Sequence, residues 1–252
     1  MNRILLASTS PRRTQLLTQI GIAHEAVAPD YEEEHTAKLP PHELVMKLAC
    51  EKALSVARIY SNSIVLGADT LVYDGDQPLG KPASVEEAKA MLRRLAGKTH
   101  DVYTGVALVQ ADTMRCEMDY RHVRVTMRML RDEEIAWYVN TGEPMDKAGA
   151  YSIQGIGAPF ITEIHGDFYA VVGLPLSLTV DLFARLEISN LPLQGEMLND
   201  RAWRARTWYT DDGSTADRAT ARTNDAVRRT VALHERVACP SLGNGTARCI
   251  RA

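Results

Sequence analysis

The chain has 252 residues, 45% hydrophobic and 24% charged, with a formal net charge of −3. Those values suit a globular protein with a sizeable core, in one large domain or two small ones. They exclude a globally basic nucleic-acid binder, and no apolar run is long enough to span a bilayer as a helix. The apolar stretch after Met1-Asn2-Arg3 ends at Ala7, too short for a signal-peptide core. The four cysteines, Cys50, Cys116, Cys239 and Cys249, show no CxxC spacing. That argues against a thiolate metal site or a disulfide framework, and makes a reducing cytoplasm the expected setting.

In chain order, residues 3–8 read as a short buried strand. A helix follows, with Ser10 as N-cap, Pro11 at its first position and Gly21 just past its end. A longer helix is predicted from Pro41 to about Tyr60, then a mostly buried strand over 63–73 and a turn at Asp74-Gly75. Ser84 with Glu87 forms a capping box that opens a helix closed by Gly97. Residues 102–109 and about 121–127 read as strands, and Asp132 caps a helix running to Asn140. A glycine-rich stretch from Asp146 to Gly157 precedes further short strands. Val172-Gly173-Leu174-Pro175 then leads into a last helix ending near Leu186. The irregular alternation predicts an α/β or α+β fold with a mixed sheet. From about Gln194 the periodicity fades, and arginines appear without any lysine among Thr, Ala and Asp. Residues 1–193 read as the folded domain, and 194–252 as a poorly ordered appendage.

Five places are candidates to carry chemistry. The first strand–turn–helix ends in Ser8-Thr9-Ser10-Pro11-Arg12-Arg13. A helix N-terminus offers unpaired N–H groups and a positive dipole end, and here two hydroxyls and two guanidiniums surround it, a phosphate-binding arrangement. Arg13 also falls on the helix face of Leu16, Leu17 and Ile20. Lys52 falls on the stripe of Val45, Leu48, Ala49 and Val56, where it must either snorkel or meet an anion. Asp69 lies within the most apolar strand, where a carboxylate needs pairing, hydrogen bonding or a metal. Gly75 to Pro82 nearly matches a P-loop. Pro82, however, lacks both the hydroxyl for Mg²⁺ and an N–H for phosphate, so a P-loop is rejected while Lys81 is kept as a phosphate ligand. Glu32-Glu33-Glu34 could supply a second carboxylate for a divalent cation if brought near Asp69. The seven histidines are scattered and receive no role.

Together these segments resemble the Maf family of nucleotide pyrophosphatases over roughly residues 2–190. The resemblance rests on Ser8 to Arg13, Leu48-Ala49-Cys50-Glu51-Lys52-Ala53, Gly67-Ala68-Asp69-Thr70 and Leu79-Gly80-Lys81-Pro82. It continues through Thr141 to Tyr151, Ile153-Gln154-Gly155 and Val171-Val172-Gly173-Leu174-Pro175. It implies an elongated mixed α/β structure with a deep central cleft, similar to the inosine-triphosphate pyrophosphatases, and often a homodimer. It implies cleavage between the α and β phosphates with a divalent cation such as Mg²⁺ or Mn²⁺. Asp69 becomes the proton acceptor, Glu33 its metal partner, and Arg13, Lys52 and Lys81 the triphosphate ligands beside Ser8 and Ser10. Arg12, Thr70 and Gln154 occupy the positions that sort base preference, and they resemble the branch acting on dTTP and UTP, with modified uridine triphosphates as further candidates. A purine or 7-methyl-GTP pyrophosphatase is the alternative within enzymes, and a non-catalytic nucleotide-binding regulator of cell division the alternative outside them. Nucleic acid is not an expected partner, beyond weak affinity from the arginine-rich tail. Two departures stand out: Ala170 where the family usually has Asn, and a chain continuing past residues 190–200, where family members usually end.

Overall fold

In chain order the elements are β1 (Arg3–Ala7), α1 (Pro11–Gln19), β2 (Glu25–Val27), α2 (Pro41–Ala57) and β3 (Ser63–Asp74). Then come β4 (Gln77–Leu79), α3 (Val85–Leu95), β5 (Thr99–Gln110), β6 (Arg115–Met127) and α4 (Asp132–Asn140). Three short 3₁₀ turns (Glu143–Asp146, Ala148–Ala150, Gly155–Phe160) lead to β7 (Ile161–His165), α5 (Phe168–Val172) and α6 (Leu176–Arg185). This computed structural model describes residues 3–31 and 39–188. Glu33, with its neighbours Glu32 and Glu34, and the arginine-rich tail lie outside the described residues.

The seven strands form one mixed sheet in the order β2-β1-β3-β5-β6-β7, with β4 on the β1 side of β3. β2, β1 and β3 are parallel, and the remaining pairings are antiparallel. The chain leaves β1 for β2 on one side and returns to β3 on the other. A crevice forms beyond the carboxyl end of β1, beside the part of β3 that continues past it, the kind of place where open α/β sheets bind ligands. One edge of β3 is paired with β1 over Ser63–Gly67 and with β4 over Val72–Asp74. Between those two pairings Asp69 and Thr70 have a strand partner only on the β5 side.

Strand alternation assigns the two faces. Ile4, Leu6, Ile64, Leu66, Ala68 and Val72 pack with α1, α3, α4 and α6 in the main core. Leu5, Ala7 and Val65 pack against Ala53 and Val56 of α2 on the opposite face. The same parity sends Thr70 to the first face and Asp69 towards α2. Helix α2 lies directly on the sheet at two glycines. A Cβ on Gly67 would sit 2.1 Å from the Ala49 carbonyl oxygen, and one on Gly105 would sit 2.3 Å from that of Val45. Gly105 is the residue opposite Asp69 in the β3–β5 ladder.

Several local expectations are corrected. Ser10 is the N-cap of α1, but its hydroxyl makes no capping bond; instead the Ser10 N–H donates to Ser8 Oγ at 3.1 Å. The N-cap of α4 is Arg131 rather than Asp132, because the Glu134 carboxylate accepts the Arg131 N–H at 3.0 Å and holds that residue at the helix entry. Ser84 caps α3 as expected, accepting the Glu87 N–H, whereas the Glu87 carboxylate reaches back to the Ala83 N–H. β6 starts at Arg115, earlier than its polar sequence suggests, because the ladder with β5 carries it. In short β2 two of the three residues are exposed, and the strand is held by pairing with β1. Among the described residues no helix is long and apolar enough to cross a membrane.

Two outcomes follow from this packing. Gly105→Ala forces a methyl group into the backbone of α2 and should destabilise the protein by about 2–3 kcal/mol in urea unfolding. Gly75→Ala, where a Cβ meets open space, should cost only about 1 kcal/mol for its positive φ. His100 is 1% exposed, with Nε2 2.7 Å from the Tyr151 hydroxyl. Burial pushes its imidazole down to about 4, against the opposing pull of Asp101 and Asp74. Between that value and about 6.5 the unfolded chain binds a proton that the folded one does not, so this contribution is intact above the window and is lost as pH falls through it. Wild type should lose about 2 kcal/mol more than His100→Gln between pH 7 and pH 5, read from paired urea titrations.

Candidate active site

The crevice beyond β1 and beside β3 is a cleft of about 670 Å³, a volume suited to a nucleotide-sized ligand. Every sequence-predicted site residue within the described part of the chain lines it: Ser8 and Ser10 from the β1–α1 turn, Arg12 and Arg13 from the start of α1, Lys52 from α2, Asp69 and Thr70 from β3, Lys81 after β4, and Gln154. Glu33 is the one that cannot be placed, because it lies outside the described residues.

Asp69 and Lys52 meet at the floor. Lys52 Nζ donates to Asp69 Oδ1 at 2.5 Å, with both side chains about nine-tenths buried (10% and 9% exposed). The lysine therefore does not snorkel. Asp69 Oδ2 is buried without a hydrogen-bond partner among the described residues. An ionised oxygen left unpaired at such depth is strongly disfavoured unless water, substrate or a cation reaches it.

Arg13 is held from three sides at the start of α1. Its Nε donates to the Gly173 carbonyl at 2.9 Å, Nη1 to Ser8 Oγ at 3.3 Å and Nη2 to Thr70 Oγ1 at 3.4 Å. Thr70 in turn shares a 2.9 Å hydrogen bond with Thr104, whose hydroxyl donates to the Ala170 carbonyl at 2.8 Å. That last contact uses backbone oxygen, and the Ala170 side chain is fully buried in the core. Alanine in place of the family's usual Asn therefore leaves the chain from Arg13 through Thr70 and Thr104 in place.

Arg12 crosses the cleft to Asp146, Nη1 to Oδ2 3.1 Å. Burial pushes the Asp146 carboxyl up, but Lys147 and Arg12 outweigh it and hold the group below its ordinary value. Lys81 is exposed at the rim, its segment anchored by the Gly149 N–H on the Gly80 carbonyl. Gln154 is exposed on the far wall, its N–H donating to Ser152 Oγ at 3.2 Å.

Cations thus approach from three walls and one carboxylate sits at their base. The arrangement can bind a polyanion and present Asp69 to a group bound above it. No cluster of three or more His, Cys, Asp or Glu side chains converges among the described residues. Asp69 Oδ2 is the oxygen there that a hard divalent cation would satisfy.

Asp146, Lys147 and Tyr151 also line the cleft, and Glu143 stands just behind it. By composition their segment is a glycine-rich, charged loop, and such loops are solvated by default. Thr141 to Tyr151 belongs to the family resemblance, but that gives these side chains no individual role.

Residues 3–186 match the family model described as Maf-like protein. The chain is 49% identical over 187 residues to the dTTP/UTP pyrophosphatase of Symbiobacterium thermophilum, covering 73% of this chain and 94% of that protein. It is 45% identical over 181 residues to the dTTP/UTP pyrophosphatase of Desulforamulus reducens, covering 72% and 95% respectively. The protein of the same name from Bacillus mycoides is 48% identical over 180 residues, with 71% and 93% covered. With the motif residues gathered in one cleft and a match that spans the described sheet, the chain belongs to the Maf-like protein family.

Proposed function

We propose that the chain hydrolyses nucleoside triphosphates to the monophosphate and pyrophosphate, with dTTP and UTP, and modified uridine triphosphates, as preferred substrates. The observation that carries this reading is Asp69: one oxygen held by buried Lys52, the other unpartnered among the described residues, under a cleft lined by arginine and lysine. The names of the similar proteins support the choice of substrate.

Hydrolysis needs water to attack the α phosphorus, the bond to the bridging oxygen to break, and pyrophosphate to leave. Asp69 Oδ2 accepts the proton of the attacking water, and Lys52 holds the carboxylate by its other oxygen. Arg13, aligned by Gly173, Ser8 and Thr70, meets phosphate oxygens in the forked geometry of guanidinium, and Lys81 adds a mobile charge at the rim. Ser8 and Ser10 supply polar groups beside the α1 N-terminus, whose dipole favours the same anion. A divalent cation, Mg²⁺ or Mn²⁺, fits at Asp69 Oδ2, with Glu33 as its second proposed ligand, and would neutralise charge developing on the phosphates. Gln154 offers a donor and an acceptor to a uracil or thymine edge. Arg12 and Thr70 contribute to substrate choice from the opposite wall, Thr70 by directing Arg13.

A nucleotide screen with pyrophosphate detection tests the reading on wild type and Asp69→Asn together. Wild type should favour dTTP and UTP, and Asp69→Asn should lower kcat by about 10²–10⁴-fold. Preference for a purine triphosphate or 7-methyl-GTP would overturn the substrate, undiminished turnover in Asp69→Asn would overturn the role of Asp69, and no turnover by wild type would favour a binding role.

A further inference from the structure

Cys50 on α2 and Cys116 on β6 are 66 residues apart in sequence, yet their sulfurs lie 3.2 Å apart. The fold places them there. Cys116 stands opposite Val109 in the β5–β6 ladder, and Val109 packs towards α2. Cys50 is 1% exposed among Ala49 and Ala107, with Leu54 and Met118 closing over the pair, whereas Cys116 is half-buried. Glu51 and Arg58 are the charged groups that act on Cys50. The contact with Cys116, together with burial, pushes the Cys50 thiol well above its ordinary value. Cys116 is therefore the sulfur that meets an oxidant first.

We propose that Cys50 and Cys116 form a dithiol site that peroxide converts into an intramolecular disulfide, tying α2 to β6. The Cys116 sulfur attacks one peroxide oxygen, the O–O bond breaks, and Cys116 sulfenic acid and water result. The Cys50 sulfur then attacks the sulfenic sulfur, the S–O bond breaks, and the Cys50 proton leaves with the hydroxyl as a second water. Two thiols lose two electrons and the peroxide gains them. The bond restrains the intervening chain, including β3 and β5, and anchors α2 two residues from Lys52. It is independent of the catalytic reading.

The full chain is treated with hydrogen peroxide, its free thiols are blocked, and it is mapped by peptide mass. The expected product is a Cys50–Cys116 cross-linked peptide lighter by two hydrogens, reversed by dithiothreitol, with an unfolding midpoint raised by roughly 5 °C. Cys116→Ser should abolish both changes. Recovery of Cys50 as a blocked free thiol beside over-oxidised Cys116, or its cross-linking instead to Cys239 or Cys249, overturns the proposal.

A second observation concerns the wall that carries Gln154. The Glu143 carboxylate accepts the Ile156 N–H at 3.0 Å and the Gly157 N–H at 2.9 Å, one on each oxygen. It occupies the space that a Cβ on Gly155 would need, 2.3 Å from Oε1. The Tyr138 hydroxyl accepts the Ser152 N–H at 3.1 Å, at the start of the same turn. Glu143 is thus the post around which residues 152–157 turn. We infer that Glu143 is a positioning residue for base selection, acting through Gln154. This rests on the reading that Gln154 faces the base.

The test compares kcat/KM for dTTP against GTP in wild type, Glu143→Gln, Gln154→Ala and the double variant, with Tyr138→Phe as a milder loosening of the same turn. Glu143→Gln should lower discrimination about tenfold, as Gln154→Ala does, and the double variant should be no worse than either. Unchanged discrimination in Glu143→Gln and Tyr138→Phe, with Gln154→Ala impaired, overturns the inference alone. Unchanged discrimination in Gln154→Ala overturns the reading of Gln154 and the inference with it.

Discussion

The seat of α2 on the sheet is the constraint from which the cleft follows. Gly67 and Gly105 remove the side chains that would separate a helix from the strands beneath it, so the carbonyls of Ala49 and Val45 rest almost on the sheet backbone. With α2 at that depth, Lys52 reaches Asp69 within hydrogen-bonding distance although both are buried. A helix held a few ångströms higher would leave the carboxylate unpaired or the lysine stretched towards solvent. Burying two charges is costly, and the pair persists because each satisfies the other. What remains is an oxygen, Asp69 Oδ2, whose partner must come from the cleft.

The opposite wall follows a different logic. Arg13 is oriented by the oxygens of Ser8, Thr70 and Gly173, which bring the β1–α1 turn, β3 and the end of α5 to one guanidinium. Arg12, its neighbour, pairs with the Asp146 carboxylate across the opening. Two adjacent guanidiniums thus have different tasks in the fold. One gathers three segments at the start of α1, and the other links two walls of the cleft.

The sheet topology ties these walls together. Parallel β1 delivers the α1 N-terminus to its carboxyl end, and β3 continues past β1 to β4, exposing Asp69 and Thr70 at the break between two pairings. Successive residues on one strand then serve opposite faces: Asp69 meets α2, and Thr70 meets Arg13. The 3₁₀ turns from Glu143 to Phe160 close the remaining side, with a carboxylate in place of a helix or strand as their organiser.

Much of this was legible in the residues themselves. Ser10-Pro11 announced the entry to α1, the apolar run over 63–73 announced β3, and Asp69 within it was conspicuous because an isolated carboxylate is not tolerated there. Lys52 betrayed itself by falling on an apolar helix stripe. These are local properties, set by periodicity, capping and the cost of burying charge. Other features depend on residues distant in sequence. Nothing near Lys52 names Asp69 as its partner, and nothing near Cys50 names Cys116. Glu143, in a loop of ordinary polarity, gains its place only when residues 152–157 turn around its carboxylate. β2 and the first half of β6 carry weak local preference and exist because a neighbouring strand offers backbone hydrogen bonds. By itself the sequence determined most of the helices, the buried strands β1 and β3, the anion-binding turn and the family, because short-range chemistry suffices for each. The tertiary structure decided which charges neutralise one another and which remain for a ligand, because that depends on ångström distances between segments the chain brings together only by folding.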